Sequence, residues 1–413
     1  MERTIVGIDI GTTKVCTLVG EVNASSDLRI VGVGIAPARG MKKGVVVNVA
    51  EASAAIQASI EKAERTSGYE IARAFISVTG AHVSAINSRG VVAVARGERG
   101  IAVDDIERAL DAARAIAIPN DREVLHVIPR GFTVDGQNGV QDAIGMIGFR
   151  LEVEAHIITG AASSIHNLLK CVEGCKVGVD GFVLDPIASG EAVLTDTEKQ
   201  MGVVLADIGG GTTDIAIFIE GSVWHTTVLA VGGNHITNDI AVGLRVPAEA
   251  AEQLKIEYGH ARHETIDPTE VVQVKAFGDG GVTRVSRRDL AEIIEARAEE
   301  IYQLVLQEIK RSGYDGLLPA GVVLTGGTAQ LRGLRELGRQ VLGLPVRVGG
   351  PQNLNGLVDA IDSPAYATAV GLLLWAQRQG DRLPMSNGKR GDAPDLNTRF
   401  GNFFRKILPD RNS

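Results

Sequence analysis

Aromatic residues make up only 4% of this 413-residue chain, and cysteine is limited to Cys16, Cys171 and Cys175. A core so short of rings must be built from Val, Ile, Leu and Ala. Three cysteines cannot form a disulfide framework or a four-cysteine zinc site, so a reducing cytoplasm is the expected compartment. Cys171 and Cys175 read as packing one helix rather than binding metal. A basic excess is also missing. The 42 Lys and Arg against 50 Asp and Glu leave a net charge of −8, which argues against broad nucleic-acid binding. The longest apolar run, near 369–376, falls far short of the ~20 residues of a spanning helix. Met1-Glu2-Arg3-Thr4 leads straight into a segment carrying Asp9, without the apolar region and cleavage site of a secretory signal.

Glycine, by contrast, is plentiful at 50 residues, and it falls at the turns of strand-rich segments. Residues 4–21 read TIVGIDIGTTKVCTLVGE, two apolar β-rich runs about a Gly-Thr-Thr-Lys turn, a hairpin pattern. Residues 202–220 read GVVLADIGGGTTDIAIFIE and repeat the plan, each turn headed by Asp-Ile-Gly. Two such elements at the starts of two halves predict a duplicated α/β fold with a cleft between the halves. Helices are expected over 50–67, ending at Gly68; from an N-cap at Asp104 through Ile116; and over 248–258 and 286–311. Strands are expected over 74–95, 123–134 and 149–158. Residues 83–159 thus form a small αβ unit inserted into the first half. Residues 378–398 are polar, with Gly, Pro, Asp and Asn throughout and almost no large apolar residue, and read as a disordered linker.

Holding a nucleotide phosphate requires backbone N–H groups that approach anionic oxygens closely. Glycine permits both the approach and the unusual φ angles it can involve. A carboxylate is also needed to hold Mg²⁺, which keeps most of its waters. Gly11, Thr12, Thr13 and Lys14 follow Asp9. Gly209, Gly210, Gly211, Thr212 and Thr213 follow Asp207, with Asp214 just beyond. One loop alone reads equally well as a glycine-rich hairpin. Two with the same head, and a third turn at Gly326-Gly327-Thr328, point to a phosphate clamp in which Asp9 and Asp207 converge on a metal and Asp214 stands in its outer shell. There is no GxxxxGK[ST], and no GxGxxG opens a helix after the first strand.

These segments resemble the actin, Hsp70 and sugar-kinase superfamily. GIDIGTTK (7–14) is similar to its first phosphate motif, ADIGGGTTD (206–214) to its second, and VVLTGGTAQLRGL (322–334) to its adenosine motif. VLDPIASGEAVL (183–194) and AYATAVGLLL (365–374) resemble its two connecting helices. Within the superfamily, the inserted unit, the run 232–259, DLAEIIEAR (289–297) and the tail resemble the FtsA family of bacterial cell-division proteins. The resemblance implies an α/β actin-like, ribonuclease H-like duplicated two-lobed fold with an inserted α+β subdomain of SHS2 type. It implies subdomain 1A over 1–83, 160–198 and 364–377, 1C over 84–159, 2A over 199–243 and 319–363, and 2B over 244–318. It also implies binding of ATP with Mg²⁺, an actin-like filament of self-copies, tethering of FtsZ filaments to the inner membrane at the division site, and recruitment of later division proteins through 1C.

By the same resemblance Glu252 and Lys255 approach the ribose or adenine, although alone they read as two exposed polar positions three apart on a helix. Gly326, Gly327 and Thr328 line the adenine face, and Gly232 and Gly233 turn the backbone toward the nucleotide or serve as a structural turn. Arg297, with Arg287 and Arg288 as weaker matches, marks the surface that receives the acidic C-terminal peptide of FtsZ; the alternative is a solvated helix face with i,i+3 ion pairs. Asp185 either positions a water for attack on the γ-phosphate or caps the helix beginning at Pro186. Any turnover is expected to be slow, which makes the chain a nucleotide-dependent scaffold before it is an enzyme.

The tail carries a separate signal. In RFGNFFRKIL (399–408), Phe400, Phe403, Phe404, Ile407 and Leu408 fall on one helix face, while Arg405 and Lys406 lie off it. A short basic amphipathic helix after a polar linker reads as an in-plane membrane anchor. Two other readings of the chain compete: a small-molecule kinase of the superfamily, for which no substrate cluster is evident, and a pilus-assembly relative, which the basic tail disfavours.

Overall fold

The computed structural model describes residues 3–23, 25–95, 99–115, 118–275 and 282–381. The first lobe contains β1 (Arg3–Ile10), β2 (Lys14–Val22), β3 (Leu28–Pro37), the short pair β4 (Met41–Lys42) and β5 (Val45–Val46), α1 (Val49–Ser67) and β6 (Arg73–Val78). An inserted unit follows: β7 (Ser84–Ala93), α2 (Val103–Arg114), β8 (Arg122–Val134), β9 (Gln137–Val140) and β10 (Arg150–Ala161). The chain returns to the first lobe with α3 (Ala162–Glu173), β11 (Gly178–Leu184) and α4 (Asp185–Val193), then crosses through α5 (Asp196–Met201). The second lobe contains β12 (Val203–Ile208), β13 (Thr213–Ile219), β14 (Ser222–Leu229), α6 (Gly233–Leu244), α7 (Ala248–Tyr258), β15 (Val271–Lys275), β16 (Val282–Ser286), α8 (Arg287–Ser312), β17 (Val322–Thr325), α9 (Leu334–Leu342) and β18 (Val346–Val348). Helix α10 (Ala367–Asp381) packs back onto the first lobe.

The two halves repeat one topology. The first sheet runs β3-β2-β1-β6-β11 and the second β14-β13-β12-β17-β18. In each, the hairpin strands pair antiparallel and the remaining two add in parallel. Strands β12 and β13 are buried along their whole length, which is why, apart from Asp207, Thr213 and Asp214, they read as apolar runs rather than alternating ones. Helices α4 and α10 cross between the sheets, where a Cβ on Gly371 would meet the Ala188 carbonyl. Around them, Leu18, Leu205, Phe218, Val323 and Leu373 form a core shared by the lobes.

The inserted unit has its own sheet, β7-β10-β8-β9, and its own core around Ile106, Leu110, Leu151 and Ile157. Helix α2 starts differently from the sequence expectation. Its N-cap is Ala102, not Asp104, and the Asp105 carboxylate reaches back to the Ala102 N–H at 3.0 Å. The acidic side chains thus sit inside the first turn, where the helix dipole favours them. Helix α6, headed by Gly232-Gly233, is an element that the sequence analysis did not anticipate. Cys171 lies on the α3 side that faces α1 and Cys175 in the turn after α3, their thiols directed at the Val49 and Ser53 carbonyls. No helix among the described residues is long and apolar enough to cross a membrane. The amphipathic segment with Phe400, Phe403, Phe404, Arg405, Lys406, Ile407 and Leu408 lies outside the described residues.

Candidate functional site

The β1–β2 and β12–β13 turns close in the same way. Gly11 N–H donates to the Lys14 carbonyl at 3.0 Å, and Gly209 N–H to the Thr212 carbonyl at 2.9 Å. Each turn stands at the end of its sheet, and the two meet across the space between the lobes. A Cβ on Gly211 would come within 2.5 Å of Thr12 Oγ1, and one on Gly210 would strike Thr13. The glycines are therefore required for closeness, not for handedness. Only Gly326 among the glycines named for this site has a left-handed φ, +84°.

Below the turns lies a cleft of about 570 Å³, lined by both lobes, a size that suits a small-molecule ligand. Asp9, Asp185, Asp207 and Asp214 line it and are all buried. Ser77 Oγ donates to Asp9 at 3.0 Å, Thr368 Oγ1 to Asp207 at 3.0 Å and Thr79 Oγ1 to Asp214 at 2.5 Å. One oxygen of Asp185 has no hydrogen-bond partner among the described residues. The helix-capping reading of Asp185 fails, because α4 is capped by Leu184 without a side-chain bond.

Burial raises all four carboxyls above their ordinary range. Asp207 is pushed up to about 6 and Asp214 to about 7, in both cases chiefly by loss of water. Asp9 is raised by burial, with Lys14 opposing. Asp185 is raised well above the usual carboxylate value by burial and then by the charges of Asp214, Asp9 and Asp207. Lys14 Nζ donates to the Ala365 carbonyl at 2.5 Å and lies over the Tyr366 ring. So much buried negative charge fits a cation. Yet no three His, Cys, Asp or Glu among the described residues are grouped to hold a metal ion directly. A hydrated Mg²⁺ held through one or two carboxylates plus phosphate meets that constraint.

At the other end, α7 presents Glu252 and Lys255, an ion pair at 2.7 Å. Lys255 Nζ also donates to Thr237 Oγ1 at 2.8 Å and to the Gly233 carbonyl at 3.2 Å. Gly326, Gly327 and Thr328 line this end with Ile256, Leu331 and Arg332, and Thr328 Oγ1 donates to the Gly209 carbonyl at 3.0 Å.

The structure thus brings most of the named residues to one cleft, with two exceptions. Thr213 is fully buried in β13 and donates to the Val231 carbonyl. Gly232 stands behind the wall, where a Cβ would meet the Gly209 carbonyl at 2.6 Å. The sequence analysis missed Thr79, Asn234 and Thr368, which also line the cleft.

The arginines of α8 lie apart from the cleft. Arg297 is already held by Asp239 of α6, at 2.6 and 3.2 Å, and by Glu300. Arg287 pairs with Glu270 at 2.5 Å. Half-buried Arg288 has no hydrogen bond or ion pair among the described residues.

A family model for "Cell division protein FtsA" matches residues 204–371, and one for "SHS2 domain inserted in FTSA" matches 80–159. The cell division protein FtsA of Pseudomonas aeruginosa is 46% identical over 385 residues, covering 93% of this chain and 92% of that protein. The chain belongs to the FtsA family. It is accordingly a cell-division protein with an actin-like fold, and the unit between β6 and α3 is the SHS2 domain that FtsA proteins insert. Two solved structures share the fold. The PilM–PilN type IV pilus biogenesis complex aligns with a TM-score of 0.64 at 17% identity, over 90% of this chain and 98% of that one. MreB5 of Spiroplasma citri bound to AMPPNP aligns at 0.56 and 14% identity, over 92% and 97%.

Proposed function

We propose that this FtsA-family chain holds ATP and Mg²⁺ between its lobes and, in that state, polymerises on the cytoplasmic face of the membrane to tether FtsZ filaments. The observation that carries the reading is the pair of matching turns, from opposite lobes, over four buried carboxylates. In this reading Gly11, Thr12, Thr13, Lys14 and Gly209 to Thr212 face the phosphates. Asp9 and Asp207, with Asp214 behind them, hold the hydrated metal, which supplies charge neutralisation at the phosphates. Glu252, Lys255 and the turn at Gly326 face ribose and base. Asp185, with an acceptor atom unused, orients water, and any hydrolysis is slow.

The α8 arginines take the acidic FtsZ peptide, the SHS2 domain takes later division proteins, and the residue 399–413 helix takes anionic lipid. One such helix binds weakly, but a filament raises avidity by roughly 10²–10⁴. AMPPNP in the MreB5 structure supports the choice of ligand class for this cleft. The test is an ATP titration of the full chain with and without Mg²⁺, beside an Asp9→Asn variant. Binding that requires Mg²⁺ and weakens at least tenfold in the variant supports the reading; equal binding by both proteins sinks it. Sedimentation with anionic liposomes should be lost on removing 399–413, and a full chain that ignores such liposomes removes the anchor.

A further inference from the structure

The inserted domain is joined covalently to the first lobe, yet it also rests on the second. Strand β14 packs against β7, β8 and β10. The centre of that contact is Arg130 of β8. Its guanidinium lies 4.2 Å from the Trp224 ring and 5.5 Å from the Tyr314 ring, and the two rings meet edge-on at 5.4 Å. Trp224 is on β14 and Tyr314 follows α8, so both belong to the second lobe. Three polar bonds surround them: His156 Nε2 with Thr226 Oγ1 at 3.0 Å, Ser222 Oγ to the Pro129 carbonyl at 2.7 Å and Asn87 Nδ2 to Tyr314 OH at 3.4 Å.

Two features show that Arg130 is aimed there. Ala155 pairs with Pro129 and Glu154 with Gly131, so Arg130 is the extra residue of a β-bulge. A bulge re-aims one side chain out of the alternation of its strand. Four residues earlier on the same strand, His126 accepts from the Leu184 N–H at 3.0 Å and meets Trp375 edge-on at 5.6 Å. Strand β8 is thus pinned to the first lobe at His126 and to the second at Arg130, about 13 Å further on.

The contact is also built to part. The Arg130 side chain is only 9% exposed, and its one ion-pair partner among the described residues, Glu154, stands at 4.0 Å. Arg130 Nε and Trp224 Nε1 are buried without hydrogen-bond partners among the described residues. Buried polar groups left unpaired carry a penalty that water would relieve, so separation of this interface regains hydration at both atoms.

We propose that the Arg130–Trp224–Tyr314 clasp is a latch that holds the SHS2 domain against the second lobe and transmits opening of the cleft to that domain. The transmission rests on the nucleotide reading above; the latch does not. The SHS2 domain exposes Ile86, Val91, Ile147 and Phe149, and release of the latch reorients them relative to the second lobe.

The test uses the full chain carrying Trp375→Phe, which leaves Trp224 as the sole tryptophan of two. In that background, Arg130→Ala should red-shift the emission and raise amide hydrogen exchange over 122–134 and 222–229 several-fold, with β1 and β2 unchanged. Arg130→Lys keeps a cation and should keep most of the protection, and Arg130→Gln repeats the loss without opening a large cavity. Parental emission and exchange in both the Ala and Gln variants would overturn the latch. ATP and Mg²⁺ should shift the parent's emission, with binding followed by calorimetry, and Arg130→Ala should abolish the shift at unchanged affinity. A shift that persists in Arg130→Ala, or ATP binding without a shift in the parent, overturns the transmission. Absence of ATP binding in the parent defeats the nucleotide reading and with it the transmission, while the exchange data still decide the latch.

Discussion

Thr79 Oγ1, at the end of β6, donates across the cleft to Asp214 Oδ1 of β13 at 2.5 Å, a hydrogen bond that joins the two lobes through buried atoms. A bond to an ionised acceptor is worth about 1.5–3 kcal/mol. Thr79→Val should therefore lose about that much stability in urea unfolding at pH 8, where Asp214 is ionised. At pH 5 the carboxyl is protonated and the loss should be smaller. Equal losses at both pH values would show that the bond does not serve the carboxylate.

The buried carboxylates set a pH dependence. Their folded pKa values lie above the unfolded value, so between about pH 4 and about 7 the folded state binds more protons. Stability of the ligand-free chain should then fall as pH rises through that window. Asp214→Asn should flatten the fall and raise the melting temperature at pH 8 by a few degrees. Mg²⁺ with ATP should stabilise the parent more at pH 8 than at pH 5. A melting temperature that climbs from pH 4 to pH 7 would contradict the sign.

Gly232→Ala should be costly although the φ there is extended. Its Cβ would meet the carbonyls of Gly209, Gly210 and Thr212 at 2.6–2.9 Å, and all three are backbone atoms that cannot rotate away. Overpacking of this kind costs about 1–3 kcal/mol. Chemical unfolding measures it, and ATP affinity should drop in parallel because the displaced carbonyls belong to the second phosphate turn.

On α8, Arg288→Glu is the clean test of peptide capture. It breaks no ion pair among the described residues, so stability should change by less than about 0.5 kcal/mol, while affinity for an acidic FtsZ tail peptide should fall several-fold. Arg297→Glu instead sets a second carboxylate against Asp239 and should destabilise the α6–α8 junction, which confounds any binding loss. Unchanged peptide affinity in both variants removes this surface from the proposal.

The sequence carried the hairpins because their strands are mostly apolar and β-branched, and it carried the second phosphate turn because three glycines in a row have few other uses. It did not carry α6, whose start at Gly232-Gly233 and content of Thr, Asn and β-branched residues resemble a loop more than a helix. The start of α2 was misread for a different reason. Asp104 is a good capping residue in isolation, but Asp105 reaches the free N–H first, and only the folded backbone decides between them. Thr79 and Thr368 were invisible as single hydroxyls far apart in the chain, since their meaning comes from the carboxylates they meet. Arg130 likewise needs a bulge, and a bulge depends on the register of the partner strand.

The crossing of α4 and α10 at Ala188 and Gly371 brings backbone against backbone beside the core that both sheets share. Helices in such close contact can turn about their crossing point but cannot slide past it. The crossing is therefore a rivet between two jaws, and any residue larger than glycine at 371 would prise it loose for both at once.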